Sequence, residues 1–170
     1  MAKSLVLYFS RAGENYFGGV IKSIEKGNTQ VAAETIAQLA DADLFRIEPK
    51  VPYSNDYHEC VDASRAELAA QARPEVVALP DISAYEVVYL GYPNWCGTIP
   101  MCVATVLEAL DFSGKTIRPF CTNEGSGMGA SEADIKKLVP GAVVQPGLPL
   151  IGSHVGDCSR KVSDWIAKLG

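Results

Sequence analysis

The chain has 170 residues, of which 48% are hydrophobic, and its formal net charge is −5. This length predicts one domain, residues 1–170, large enough to bury roughly 70% of its unfolded surface without a disulfide or metal staple. The negative charge argues against a nucleic-acid partner, and no apolar run reaches membrane-spanning length, so we expect neither nucleic-acid nor membrane binding.

Strand and helix patterns alternate through the first half of the chain. Residues 4–9 form a short apolar run, typical of a strand buried on both faces. After a long connection at 12–27, residues 29–40 have the spacing of an amphipathic helix with Asn28 or Thr29 as its cap. Residues 44–47 predict a second strand. An irregular stretch at 49–61 then leads to a helix over 62–72, which ends before Pro74.

The alternation continues to the end of the chain. Strands are predicted at 86–91, 116–121 and 142–144, with Pro119 unusual for a central strand. Helices are predicted from Thr98, from Ser131 with Asp134 in a capping-box position, and over 157–169. Right-handed crossovers between parallel strands place helices on both faces of a sheet. The sequence therefore predicts an α/β fold with a three-layer, doubly wound, five-stranded parallel sheet.

Five cysteines are scattered along the chain without a CxxC pair, which favours a reducing compartment over a disulfide framework. The two histidines lack a second ligand at metal-binding spacing, so we predict no metal site. The apolar run of the first strand is too short for a signal-peptide core. These features predict a cytoplasmic protein.

Three polar, glycine-rich stretches each follow a predicted strand. They are residues 10–13 (SRAG) together with 27–29 (GNT), residues 93–98 (PNWCGT) and residues 122–127 (TNEGSG). In an open parallel α/β sheet, ligands bind beyond the carboxyl ends of the strands. The three stretches together predict a planar cofactor that carries a phosphate.

Each stretch has a functional and a structural interpretation. A helix that begins near Thr29 offers free N–H groups and a positive dipole end to an anion, although such residues also serve simply as caps. An exposed Trp95 would be covered by a planar ligand, but it can equally fold back onto the core. Glycines in the third stretch allow the main chain to approach a ligand closely.

The chain resembles the flavodoxins in LYFSRAGEN with GNTQVAAETIA, in GYPNWCGTIPM and in FSGKTIRPFCTNEGSG. The resemblance implies strand order 2-1-3-4-5 with flavin mononucleotide (FMN) at the switch point, an arrangement for which flavodoxin is itself the reference example.

The resemblance also implies the residues of the FMN site. It implies phosphate contacts from Ser10, Arg11, Asn28 and Thr29. It also implies that one side of the isoalloxazine ring is lined by Pro93, Asn94, Trp95, Cys96 and Gly97. The ring or ribityl chain would be bordered on the other side by Glu124, Gly125, Ser126 and Gly127. Cys96 stands where related sequences commonly carry a second tryptophan.

The function implied by this resemblance is that of a low-potential electron carrier, with a reductase and an electron acceptor as protein partners. An FMN-dependent NAD(P)H:quinone-type oxidoreductase is an alternative, because the 12–27 and 49–61 connections could shape a substrate pocket. A non-enzymatic signalling domain on the same fold is a further alternative, although Ser10 and Arg11 occupy the place where receiver domains carry metal-binding acids. Residues 41–86 hold the negative excess, either as a solvated face or to steer a basic partner.

Overall fold

A mostly parallel sheet runs through the middle of the computed structural model, which describes residues 3–170. The strands are β1 (Ser4–Tyr8), β2 (Gly13–Phe17), β3 (Val20–Ile24), β4 (Asp43–Arg46), β5 (Val87–Pro93), β6 (Thr116–Asn123), β7 (Val143–Val144) and β8 (Leu148–Ile151). The helices are α1 (Asn28–Ala40), α2 (Tyr57–Ala70), α3 (Met101–Ala109), α4 (Ser131–Leu138), a 3₁₀ helix (Gly152–Asp157) and α5 (Ser159–Leu169).

The main sheet has the order β4-β1-β5-β6-β7, and β8 also pairs with β6. Counted over the parallel strands, this order is 2-1-3-4-5, as the resemblance implied, and the predicted fold class is confirmed. The last strand is divided, because β7 pairs with the start of β6 and β8 pairs with its end.

Pro119 is tolerated in the central strand β6 because of this division. The N–H of Thr116 points to β5, whereas the carbonyl of Ile117 accepts from Gln145 on the opposite side. The alternation along a parallel strand therefore directs the Pro119 nitrogen toward the interval between β7 and β8, where no ladder hydrogen bond is required.

Two apolar clusters, one on each face of the sheet, form the core. Alternate residues of β1 enter opposite clusters, with Leu7 on one face and Val6 on the other. The Leu7 face is covered by α3 and α4 with part of α2, and the Val6 face by α1 and α5. This period-2 pattern produces the three layers. Within residues 3–170, no helix is both long and apolar enough to cross a bilayer.

The two connections predicted as irregular contain regular structure. Residues 12–27 form the antiparallel hairpin β2–β3, separate from the main sheet, with Gly18 and Gly19 both at positive φ (64° and 94°) in its turn. Helix α2 begins at Tyr57 rather than at 62, since the Asp56 carboxylate caps it by accepting from the Glu59 N–H at 2.9 Å.

Several predicted helix starts were wrong by one to three residues. The cap of α1 is Gly27 rather than Asn28 or Thr29, and α3 begins at Met101 after Pro100 rather than at Thr98. Asp134 accepts from the Thr98 hydroxyl instead of closing a capping box in α4. The Thr98–Asp134 bond accounts for the last two differences, because it engages a polar side chain from near the start of each helix.

Candidate functional site

A cavity of about 450 Å³ lies at the carboxyl edge of the sheet. It is bounded by the ends of β1, β5 and β6, the start of α1, the β2–β3 hairpin and one face of α2. Most of the residues predicted for the site line it, namely Ser10, Arg11, Asn28, Thr29, Pro93, Asn94, Trp95, Cys96, Glu124 and Ser126. Gly97, Gly125 and Gly127 are not among the lining residues and instead shape the turns of the same loops.

The end of the cavity beside α1 forms a cradle of hydroxyl and main-chain groups. Ser10 Oγ accepts from the Gln30 N–H at 3.0 Å and so anchors the first turn of the helix. A Cβ at Gly27 would lie 2.1 Å from Ser10 Oγ and 2.8 Å from the Arg11 carbonyl oxygen. Glycine is therefore required for the end of β1 and the start of α1 to meet.

Two buried hydroxyls complete this end of the cavity. Thr29 Oγ1 lies 2.8 Å from Thr122 Oγ1, and both side chains are almost fully buried. One of the two hydroxyl hydrogens forms the hydrogen bond between the two side chains. The other hydrogen remains to donate to a ligand. We call Ser10, residues 27–29 and Thr122 the hydroxyl cradle.

The Arg11 side chain is engaged by main-chain carbonyls. Its guanidinium donates to the Ser54 oxygen at 3.0 and 2.6 Å and to the Glu14 oxygen at 2.5 Å. These bonds attach the hairpin and the segment before α2 to the end of β1. A phosphate that contacted this guanidinium would compete with those carbonyls. The main role of Arg11 in this structure is therefore to hold the wall of the cavity together.

A tight turn follows β5, and the Asn94 side chain holds it. The main chains of Trp95 and Thr98 exchange hydrogen bonds of 3.0 and 3.2 Å. Asn94 Oδ1 accepts from the Gly97 N–H, and its Nδ2 donates to the Gly127 carbonyl, each at 2.9 Å. The amide therefore joins the loops 93–98 and 123–127, which we call the clamped loops.

Trp95 both lines the cavity and packs against other aromatic rings. Its ring centroid lies 5.2 Å from that of Phe9 and 4.8 Å from that of Tyr53, each in a nearly perpendicular arrangement. The Tyr53 hydroxyl donates to Glu67 Oε1 at 2.6 Å. The indole is thus partly folded onto the core, as one interpretation of the sequence allowed, while part of it faces the cavity.

Cys96 occupies the tip of the turn with its thiol exposed. Its φ of 54° lies in the left-handed region, which a residue with a Cβ adopts at an energetic cost. Its Sγ is 3.4 Å from Ser64 Oγ on α2. The nearby Cys60 is buried, and burial raises the pKa of its thiol. Cys96 therefore presents a small, exposed thiol at the position where the resemblance leads us to expect a second tryptophan.

The second clamped loop is held by carboxylate and amide bonds. Glu124 accepts from the Ser153 N–H at 2.9 Å and from the Ser153 hydroxyl at 3.1 Å. Asn123 Oδ1 accepts from the Gly125 N–H at 2.8 Å. Ser126 faces the cavity beside these bonds. The loop thus presents a fixed negative charge at the edge of the cavity.

The sequence analysis named the 12–27 and 49–61 connections as segments that could shape a substrate pocket, but it assigned no individual residue of the outer wall. The hairpin supplies Asn15 and Tyr16, α2 supplies Tyr57, Cys60, Val61, Ser64 and Arg65, and the 3₁₀ helix supplies Gly152. Local signals were limited to the Gly18-Gly19 pair, which is typical of a hairpin turn, and to Asp56 three residues before Glu59, which indicates a helix start.

Comparisons with known proteins identify relatives of this chain. A family model described as Flavodoxin matches residues 3–169. A candidate flavoprotein of known structure from Bacteroides eggerthii is 28% identical, with a TM-score of 0.80 over 99% of this chain and 98% of that one. A flavoprotein in complex with FMN from Lactobacillus acidophilus is 21% identical, with a TM-score of 0.68 over 92% and 97% of the two chains. A flavodoxin bound to flavin mononucleotide from Fusobacterium nucleatum shares the fold at 14% identity, with a TM-score of 0.56 over 99% and 97%. None of the curated proteins matches the chain.

Proposed function

This chain belongs to the flavodoxin family, and on that premise we propose that it binds FMN and carries low-potential electrons between a reductase and an electron acceptor. The observation that carries the proposal is the hydroxyl cradle at the start of α1, where the close approach at Gly27 joins the end of β1 to the helix.

The donors of the cradle suit a phosphate group. The first N–H groups of an α-helix have no acceptor within the helix, and its dipole contributes roughly 0.3–1 kcal/mol toward a nearby anion. Ser10, Thr29 and Thr122 add hydroxyls at the same place. Each hydrogen bond to a charged group contributes about 1.5–3 kcal/mol, so a few of them suffice to hold a phosphate.

The part of the cavity formed by the clamped loops suits a planar ring. Trp95, Pro93 and Cys96 would line one side, and Glu124 and Ser126 would border the other. FMN supplies the redox chemistry when bound, while the protein tunes it. The Glu124 carboxylate, held by Ser153, would disfavour negative charge on the reduced cofactor and so lower its reduction potential.

Reconstitution followed by stepwise anaerobic reduction tests the proposal. The purified protein is titrated with FMN and then reduced while its visible spectrum is recorded. Retained flavin that accepts electrons in two separate one-electron steps is the expected result for a carrier. Failure to retain FMN would overturn the cofactor assignment, and reduction in a single two-electron step would overturn the carrier role.

The outer wall supports a second candidate function, an NAD(P)H:quinone-type oxidoreductase. Tyr16 of the hairpin and Tyr57 of α2 have ring centroids 6.3 Å apart, and Arg65 lines the same cavity. Two aromatic rings and a cation suit a planar substrate with a negative group. Oxidation of NAD(P)H by the purified protein with a quinone alone would favour this function, since a carrier needs a separate reductase.

We also propose that the protein acts in the cytoplasm. All five cysteines are free thiols, and four of them are buried. Such thiols persist in a reducing compartment. Fractionation of the source cells, followed by immunodetection, tests this placement.

A further inference from the structure

Residues 3–170 contain two tryptophan–tyrosine contacts. The centroids of Trp95 and Tyr53 lie 4.8 Å apart at an interplanar angle of 90°. Those of Trp165 and Tyr89 lie 5.8 Å apart at 67°. The two ring pairs have similar edge-to-face geometry, so the partners of the two phenols distinguish them.

Tyr53 faces a base, whereas Tyr89 faces a cation. The Tyr53 hydroxyl donates to Glu67 Oε1 at 2.6 Å. The Tyr89 hydroxyl accepts from Arg118 Nη1 at 2.8 Å, and the Arg118 guanidinium also lies 5.4 Å from the Tyr89 ring centroid. A phenol that loses an electron becomes a strong acid and must release its proton. The Glu67 carboxylate can take that proton, while the guanidinium opposes positive charge on Tyr89.

The Trp95 pair also leads from the cavity toward the outside of the molecule. Trp95 is partly exposed and lines the cavity, whereas Trp165 is only 8% exposed. Glu67 lies on α2, partly exposed at the surface. The buried thiol of Cys102 adjoins Tyr53, but burial raises the pKa of that thiol to about 12. Cys102 therefore stays protonated at neutral pH and does not offer a thiolate as a competing electron donor.

We propose that Trp95, Tyr53 and Glu67 form a relay that carries a one-electron oxidising equivalent away from the cavity. A one-electron oxidant in the cavity, such as an oxygen-derived radical, takes an electron from the Trp95 indole. The Tyr53 phenol then passes an electron to the Trp95 radical cation and its proton to Glu67. The products are neutral Trp95, a Tyr53 phenoxyl radical and a protonated Glu67 carboxyl.

The relay goes beyond the proposed function and rests on it only for the source of oxidant. Reduced flavins that meet oxygen are one source of radicals, and the relay would move the oxidising equivalent from the cofactor site to Tyr53, while only the proton passes to Glu67 on α2. The electron transfer between the side chains needs no cofactor. Failure to bind FMN and failure of the relay are therefore separate results.

Pulse radiolysis of the full-length protein with azidyl radicals tests the relay. A Trp165→Phe background leaves Trp95 as the sole tryptophan, because the chain contains two. We expect the indolyl absorption to decay while the phenoxyl absorption rises, at a rate independent of protein concentration. Tyr53→Phe should abolish this phase, and the matched variant Tyr89→Phe should leave it unchanged.

Replacing the base separates the relay from simple ring contact. Glu67→Gln keeps the shape of the side chain but removes the carboxylate, and we expect the phenoxyl rise to slow roughly tenfold, a factor equivalent to about 1.4 kcal/mol. An unchanged rate in Glu67→Gln, or a phase that survives Tyr53→Phe, would overturn the proposal. If the Trp165→Phe background does not fold, Trp95→Phe in the native background must lose the fast phase.

Discussion

The hydroxyl cradle and the clamped loops line one cavity and adjoin where the Asn94 N–H donates to the Thr122 carbonyl at 2.9 Å, yet they use their polar groups differently. In the cradle, hydroxyls and helix N–H groups keep hydrogen-bonding capacity for a ligand. In the clamped loops, the hydrogen-bonding groups are already used. The Asn94 amide bonds to the main chain of Gly97 and Gly127, and the Glu124 carboxylate accepts from Ser153. We infer that the cradle supplies ligand affinity, whereas the clamped loops supply a fixed shape and charge.

The strongest test of this division is Gly27→Ala in the cradle. The added Cβ would overlap Ser10 Oγ and the Arg11 carbonyl, and overpacking of this kind costs about 3 kcal/mol. We expect a comparable fall in the free energy of unfolding in urea, together with a loss of FMN affinity of about a hundredfold. Gly156→Ala is the control, because a Cβ there meets nothing within 4 Å. Native FMN affinity in Gly27→Ala would disprove the role of the cradle.

The complementary test is Asn94→Ala in the clamped loops. The substitution leaves the Gly97 N–H and the Gly127 carbonyl without their partner, at an expected cost of about 2 kcal/mol in unfolding free energy. FMN affinity should fall much less than in Gly27→Ala. Ser126→Ala, a change in the same loops at a cavity-facing side chain, should leave stability unchanged. Lost FMN affinity with native stability in Asn94→Ala would mean that Asn94 contacts the ligand directly.

The free energy of unfolding should fall at alkaline pH because of Cys121, a buried thiol beside the clamped loops. Burial raises the pKa of Cys121, whose Sγ is 3.8 Å from the Gly127 carbonyl oxygen, from an ordinary value of 9.0 to about 12. Above pH 9 the unfolded chain releases this proton while the folded chain keeps it, so stability falls as pH rises toward 12. The maximum slope for one thiol is about 1.4 kcal/mol per pH unit. Urea titrations at several pH values should show a shallower decline in Cys121→Ala, and equal slopes would contradict the assignment.

Thr29→Val refines the assignment within the cradle. Valine keeps the shape but removes the hydroxyl, which leaves Thr122 Oγ1 without its partner at a cost of about 1 kcal/mol. FMN affinity should fall by about tenfold. Riboflavin, which lacks the phosphate, serves as the matched ligand and should bind the variant and the native protein equally. An equal loss for both ligands would place the phosphate elsewhere.

The smallest expected effect lies at Cys96. Cys96→Asn should raise the unfolding free energy by about 0.5 kcal/mol, because asparagine tolerates the left-handed conformation better. Gln71→Asn is a matched control, since Gln71 has a φ of 49° away from the cavity. Gln71→Asn should gain less stability, because it also loses the bond from Gln71 Nε2 to the Leu68 carbonyl, and only Cys96→Asn should change the flavin spectrum. A spectrum unchanged by Cys96→Asn would remove Cys96 from the ring environment.

The order of the five parallel strand positions could be predicted from the sequence, since buried apolar runs and glycine-rich turns are local signals, although β5 and β6 each end two residues later than predicted. The same signals place Ser10, Asn94 and Glu124 at one edge of the sheet. They do not show which hydrogen bonds these side chains make. Asn94 bonds to Gly127, 33 residues away in the chain, and only the folded structure shows this partner.

Two further differences have physical causes. The hairpin was missed because its strands pair only with each other and expose Val20 and Ile21, so no continuous apolar pattern marks them. Strand β8 was missed because Pro149 interrupts its sequence, although Leu148 and Leu150 are buried. In both cases the pairing partner, rather than the local sequence, decides the structure.

Residues 12–26 form a segment whose two ends lie close together, because the chain at Gly27 lies within contact of Arg11. Its length can change with little entropic penalty, since doubling a loop costs only about 0.6 kcal/mol. Related chains could therefore exchange this segment for another without displacing the helix that follows. For protein engineering, the segment 12–26 is an insertion point at which a sensor or affinity peptide can be grafted beside the cavity.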